Sequence, residues 1–318
     1  MSPLKTIAAA ILLMAAIPAQ SQDTRISLAD PTIFVHGGTY YLYGTGSSEG
    51  FLYYTSKDLK KWTQPADSSE QLALKRGEAF GNTGFWAPQV FRQGDSFYMA
   101  YTANEQIAIA RASAPAGPFR QDAPLRLSGS GKQIDPFVFF DESGKVYLYH
   151  VKLRQGNRIF VAEMKPDLSD VIPGTEKECV AAVAGWENTA GAEWPVAEGP
   201  TVVRHKNLYY LIYSANDFRN KDYAVGYATA PSPTGPWKKY AGNPVISRQM
   251  VQQNGTGHGD VLIDKKGNMH YVLHIHHSAN KVSPRATAII GLRFRPGKDG
   301  EDVLEADATS FRTLTIKP

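Results

Sequence analysis

Five copies of one short pattern run through the 318-residue chain. A repeat of this kind limits the fold more than any single residue does, because each copy must bury its apolar face on the next. A unit opens on a small or acidic residue, usually followed by Pro, and continues as strand, turn and aromatic-rich strand. The copies are DPTIFVHGGTYYLYGT from Asp30, APQVFRQGDSFYMAYT from Ala87, DPFVFFDESGKVYLYH from Asp135, GPTVVRHKNLYYLIYS from Gly199 and GDVLIDKKGNMHYVLH from Gly259. In each, two runs of period two flank a turn carrying Gly or Asn, the signal of a hairpin. A second pair of strands follows every hairpin, its first member being FLYYTS, IAIARAS, RIFVAEM, YAVGYATA or ATAIIGLRF. Four strands per unit predict an all-β chain folded as a five-bladed β-propeller with four-stranded antiparallel blades. A β-sandwich would not need five like units of this length. Either residues 302–318 or the TRISL stretch before Asp30 is expected to close the ring.

The first residues combine Lys5, an apolar run from Ile7 to Ile17 and small residues at Ala19 and Ser21. This predicts a signal peptide over 1–21, since the run is shorter than the roughly 20 residues of a membrane span. The mature domain is then 22–318, exported to the periplasm or the medium, with no membrane span and expected to act as a monomer. Cys179 is the single cysteine, so no intrachain disulfide forms and packing alone must hold the domain. The net charge of +4 is spread without a basic block, which argues against a nucleic-acid partner. Sixteen tyrosines suit strands first and sugar-stacking surfaces second.

Inner strands of a propeller start at one end of its central channel, so matched starts converge there. Asp30 and Asp135 occupy matched starts, and Glu198 immediately precedes a third. One Asp-Pro alone reads as a turn former; three carboxylates at matched places read as a site. Glycosidic bond hydrolysis needs a proton donor for the leaving oxygen and, in the inverting case, a base for water. A third acid beside the donor would raise its pKa by repulsion.

The starts ADPTIF, IDPFVF and AEGPTVV, with WAPQV between them, resemble the motifs of glycoside hydrolase family 43 over nearly the whole mature chain. The resemblance implies that Asp30 is the general base, Asp135 tunes and orients the donor, and Glu198 is the general acid, in a single displacement with inversion. Asp30 and Glu198 should then stand about 6.5–9.5 Å apart. It also implies an exo-acting enzyme that releases a terminal pentose from plant-type polysaccharide, α-L-arabinofuranose first and β-D-xylose next. Endo-arabinanase and exo-galactanase action are alternatives on the same scaffold. A non-catalytic carbohydrate-binding propeller would be expected to lack one of the acids, and a WD-type interaction propeller would carry Trp-Asp endings.

The family resemblance further assigns His258, in GTGHGD, to a water cluster or a structural Ca²⁺ on the axis. One His would leave most of the six to eight ligands to water, and no cofactor is required for the chemistry. Trp86 matches the WAP motif and is expected to stack on a sugar, Phe85 and Trp194 are weaker substrate-binding candidates, and Arg285 resembles an Arg that points into the pocket. In LHIHH, His274 and His276 share one strand face; with no Cys or Glu ligand motif beside them, hydrogen-bonding or substrate-facing roles outrank zinc. Trp62 and Trp237 take matching outer-hairpin places and belong to the repeat structure.

Overall fold

The computed structural model describes residues 24–298 and 300–316; the expected signal peptide, 1–21, lies outside them. Among the described residues the regular structure is almost entirely strand, with one four-residue α-helix, Arg248–Val251. No helix there is long and apolar enough to cross a membrane. The strands form five separate antiparallel-built sheets in chain order, giving an all-β propeller.

The inner strands are Ala29–His36, Trp86–Gln93, Gln133–Phe140, Ala197–His205 and Gly257–Ile263, and each pairs with the strand that follows it. Three sheets have the expected four strands and the first has seven. The expectation of four strands everywhere fails in the second unit, whose sheet stops at three. Beyond Gln106–Ala112 only a bridge between Arg111 and Arg120 forms, through backbone bonds of 2.8 and 2.9 Å, before the chain turns away.

Alternation along the strands builds the ring. Tyr40 and Leu42 pack toward the fifth sheet with Val272 and Ile289, while Tyr43, one step out of phase, packs toward the second with Met99 and Tyr101. The same division sends Leu148 one way and Tyr149 the other, and Leu211 one way and Ile212 the other. Five apolar clusters result, each shared by neighbouring sheets, and the cluster that joins the fifth sheet to the first makes the arrangement circular. Trp62 is wholly buried in that last cluster. Both stretches proposed to close the ring take part: Thr24–Arg25 pairs with Thr315–Ile316, which lies parallel to Trp62–Thr63 in the first sheet. The long strand Asp302–Thr313 is the outer strand of the fifth sheet.

Candidate active site

Every inner strand carries an irregularity at the same place. Its register shifts by a bulge between Ala29 and Thr32, Trp86 and Gln89, Ile134 and Phe137, Glu198 and Thr201, and Gly257 and Gly259. Within these bulges Asp30, Ala87, Asp135, Gly199 and His258 adopt left-handed backbone, with φ of 48°, 46°, 56°, 60° and 40°. For a residue with a Cβ this costs roughly 1–2 kcal/mol, so something must hold each one. A bulge also removes the amide from its ladder, and the neighbouring sheet supplies the missing acceptor. Ala87 N donates to Thr45 Oγ1 (3.0 Å), Asp135 N to Thr102 Oγ1 (2.9 Å), His258 N to Ser214 Oγ (2.7 Å) and Asp30 N to His274 Nδ1 (3.2 Å). Gly199 N finds its acceptor in the Asp135 carboxylate itself, at 3.2 Å. Glycine is needed at 199, since a Cβ there would lie 2.8 Å from the His258 ring.

These bulges bring the three predicted carboxylates together. All are buried, and their surroundings differ in kind. Asp30 Oδ1 accepts from Arg285 Nη1 at 3.0 Å, and Oδ2 accepts from Thr45 Oγ1 at 2.7 Å. His258 Nδ1 and His274 Nδ1 lie 3.4 and 3.3 Å from Oδ1. Burial disfavours the Asp30 charge, yet Arg285 and then the histidines overcome it and hold the carboxyl well below its ordinary pKa. Arg285 is no solvated surface charge: its guanidinium lies over the Phe218 ring, 4.4 Å from the centroid.

The hydrogen-bond partners of Glu198 are neutral, and the Arg285 charge lowers its pKa less than either of them does. Oε1 accepts from the Tyr223 hydroxyl at 2.8 Å and Oε2 from Asn157 Nδ2 at 2.9 Å. Burial is the larger influence and, with the Asp30 charge, outweighs those two bonds, so the pKa rises to about 7. Asp135 is pushed well above its ordinary value by burial, then by the charges of Glu198 and Asp30. The Gly199 amide and the Arg285 charge oppose that rise without cancelling it. Interaction between two titrating groups is mutual, and the two acids release their protons as a pair. The arrangement keeps one carboxylate ionised and an adjacent carboxyl protonated near neutral pH, the division of states that acid-base chemistry requires.

Other expected residues distribute unevenly. Trp86 and Trp194 remain 38% and 48% exposed, available to a ligand. Phe85 is a correction: it is 2% exposed and packs in the core against Phe51 and Tyr101, at centroid distances of 5.9 and 6.4 Å. His274 lies at Asp30, while His276 Nε2 bonds to the Phe218 carbonyl at 2.8 Å. Burial lowers the pKa of His274 to about 3, so its ring is neutral.

His258 stands between two acids, its Nδ1 3.4 Å from Asp30 and 3.8 Å from Asp135. Below them, residues from the starts of all five inner strands line an axial cavity of about 20 Å³, room for one water. Asp260, an acid passed over in the sequence, lines it and accepts from Thr32 Oγ1 and Thr201 Oγ1. Among the described residues no group of three or more His, Cys, Asp or Glu is arranged to hold a metal. A calcium ion at His258 would have to draw most of its six to eight ligands from water, and no chemical step is assigned to it.

Asn157, Tyr223, Thr45 and Phe218 escaped the sequence reading. Asn157 begins, and Tyr223 directly precedes, the third strand of its sheet; nothing in composition separates that tyrosine from the other fifteen.

Comparison with known proteins agrees with this geometry. The sequence model of Glycosyl hydrolases family 43 matches residues 24–298. The extracellular endo-alpha-(1->5)-L-arabinanase 1 of Bacillus subtilis (strain 168) is 26% identical over 270 residues, 79% of each chain. The extracellular exo-alpha-(1->5)-L-arabinofuranosidase ArbA of Cellvibrio japonicus (strain Ueda107) is 25% identical over 279 residues, 80% of this chain and 76% of the other. Several other curated relatives are longer, and the chain spans about half their length. A crystal structure from Bacteroides thetaiotaomicron VPI-5482, described as an endo-1,4-beta-xylanase, superposes with a TM-score of 0.85 at 36% identity, covering 93% of this chain and 99% of that one.

Proposed function

Because the chain belongs to glycoside hydrolase family 43, we propose a single-displacement hydrolysis with inversion at the anomeric carbon. Glu198 gives its proton to the glycosidic oxygen as the bond to carbon breaks. Asp30, ionised beside Arg285, takes a proton from the water that forms the new bond on the opposite face. Asp135 titrates together with Glu198 and accepts the Gly199 amide next to it, a place that suits it to orient the donor. After release, Glu198 is charged and Asp30 protonated, and exchange with solvent restores both. The contrast between Asp30, ion-paired with Arg285, and Glu198, bonded to the neutral Tyr223 and Asn157, carries this reading.

The substrate is a plant-type polysaccharide or oligosaccharide rich in pentose, with exo release of terminal α-L-arabinofuranose as the first reading and β-D-xylose as the second. The names of the arabinan- and xylan-acting relatives support that class. Endo action is the alternative, and the half-exposed Trp194, linked through Asn157 to Glu198, offers a surface for a sugar next to the donor in either mode. Each sheet counts as one blade of a five-bladed catalytic domain, 22–318, and the extracellular relatives support an exported enzyme.

The test uses purified protein with aryl α-L-arabinofuranoside, aryl β-D-xyloside, aryl β-D-galactoside, arabino-oligosaccharides and xylo-oligosaccharides. Proton NMR follows the first anomer formed. Inverted monosaccharide from chain ends is expected. Retention would refute the roles of Asp30 and Glu198, mid-chain fragments would replace exo by endo action, and turnover of none would favour a binding module.

A further inference from the structure

We propose that Asn157 is a positioning residue for Glu198, that the Trp194 indole N–H fixes which way its amide faces, and that the exposed side of that indole carries the sugar on the leaving-group side of the cleft. The inference rests on the reading of Glu198 as the proton donor. Three bonds support it. Trp194 Nε1 donates to Asn157 Oδ1 at 2.9 Å, Asn157 Nδ2 donates to Glu198 Oε2 at 2.9 Å, and the Asn157 amide N donates to the Pro195 carbonyl at 2.9 Å. The last of these ties the loop bearing Trp194 to the start of the third sheet's third strand, where a Cβ on Gly156 would lie 2.5 Å from the Pro195 oxygen.

An indole nitrogen can only donate, whereas a side-chain amide can present either end. With its oxygen occupied by Trp194, Asn157 must offer N–H to Glu198, and an N–H favours the charged carboxylate. Without the indole N–H the amide is free to turn, its oxygen would then accept from protonated Glu198, and the acid would hold its proton more tightly. Trp194 thereby sets the chemical sign of a group it does not touch. Its ring is 48% exposed, so a sugar stacked there would be packed on the same side chain that orients the relay.

Trp194→Phe keeps a smaller aromatic ring for stacking and removes the N–H donor; Asn157→Leu removes the amide. Both are compared with wild type and with Glu198→Gln, using pH profiles of kcat/KM on a linear pentose oligosaccharide and on a dinitrophenyl glycoside. The alkaline limb on the oligosaccharide is expected to rise by roughly one pH unit in both relay variants, the size of a lost or reversed hydrogen bond to a buried carboxyl. On the dinitrophenyl substrate, whose leaving group needs no proton, kcat should fall far less in the relay variants than it does on the oligosaccharide. Trp194→Ala should add a roughly fivefold rise in KM on the oligosaccharide alone. A changed KM with an unmoved alkaline limb in Trp194→Phe overturns the proposal and leaves a simple stacking residue. Glu198→Gln with undiminished oligosaccharide turnover overturns instead the underlying assignment of the acid, so the two failures are distinguishable.

Discussion

Replacing Glu198 with glutamine separates the pH-dependent consequence of burying this acid from every other effect of the site. Burial, aided by the Asp30 charge, carries its pKa from 4.5 to about 7. A folded-state pKa above the unfolded one means that the folded chain holds the proton longer, so stability is greatest below pH 4.5 and declines as pH rises toward 7. From those two values, linkage gives a loss on the order of 1 kcal/mol at pH 5 and roughly 3 kcal/mol at pH 8. Glutamine has no such titration. It does place an amide opposite the Asn157 amide, which Trp194 holds by its oxygen, but that mismatch is independent of pH and cancels between two pH values. Unfolding free energy from urea titration should therefore fall by roughly 2–3 kcal/mol more in wild type than in Glu198→Gln between pH 5 and 8. Removing the Glu198 charge also relaxes Asp135, which that charge helps to raise, so the gap is expected at or above this figure. Parallel stability curves for the two proteins would refute the claim that Glu198 is held protonated by its surroundings.

Other perturbations address the base and the framework. Asp30→Asn should lower kcat by roughly 10²–10⁴-fold, and near-normal turnover would remove Asp30 from its assigned role. Arg285→Met deletes the foremost cation that keeps Asp30 ionised; the acid limb of kcat/KM should move to higher pH, leaving the variant most impaired at low pH, and an unmoved limb would show that the pair is incidental. Thr102→Val keeps the side-chain shape but strands the buried Asp135 amide, at a cost of about 1–3 kcal/mol in urea unfolding. Equal stability there would mean that the tie between sheets contributes nothing.

The legible part of this fold was periodic. Matched starts at Asp30, Ala87, Asp135 and Gly199 put the acids on one rim because identical units repeat identical geometry, and Gly259 follows the fifth left-handed residue, His258, by a single position. The missing strand of the second sheet left no such mark, since a lone backbone bridge between Arg111 and Arg120 asks for no particular side chain. Phe85 was misplaced because adjacency to a motif says nothing about which way a side chain turns; Trp86 faces out and its neighbour faces in. Asn157 and Tyr223 act through single hydrogen bonds between elements 41 and 25 residues from Glu198, a relation that only tertiary structure creates. The histidines in LHIHH were noticed as a group, but assigning His274 to Asp30 required the fifth sheet to lie against the first.

That closing contact has a consequence for the order in which the enzyme comes into being. Asp30 lies in the first sheet, while His274 and Arg285, which set its charge, follow it by 244 and 255 residues, and Thr315–Ile316, later still, seals against Thr24–Arg25. A growing chain can pair each sheet as it emerges, yet Asp30 meets the groups that hold its charge only once the fifth sheet has been made and folded back against the first.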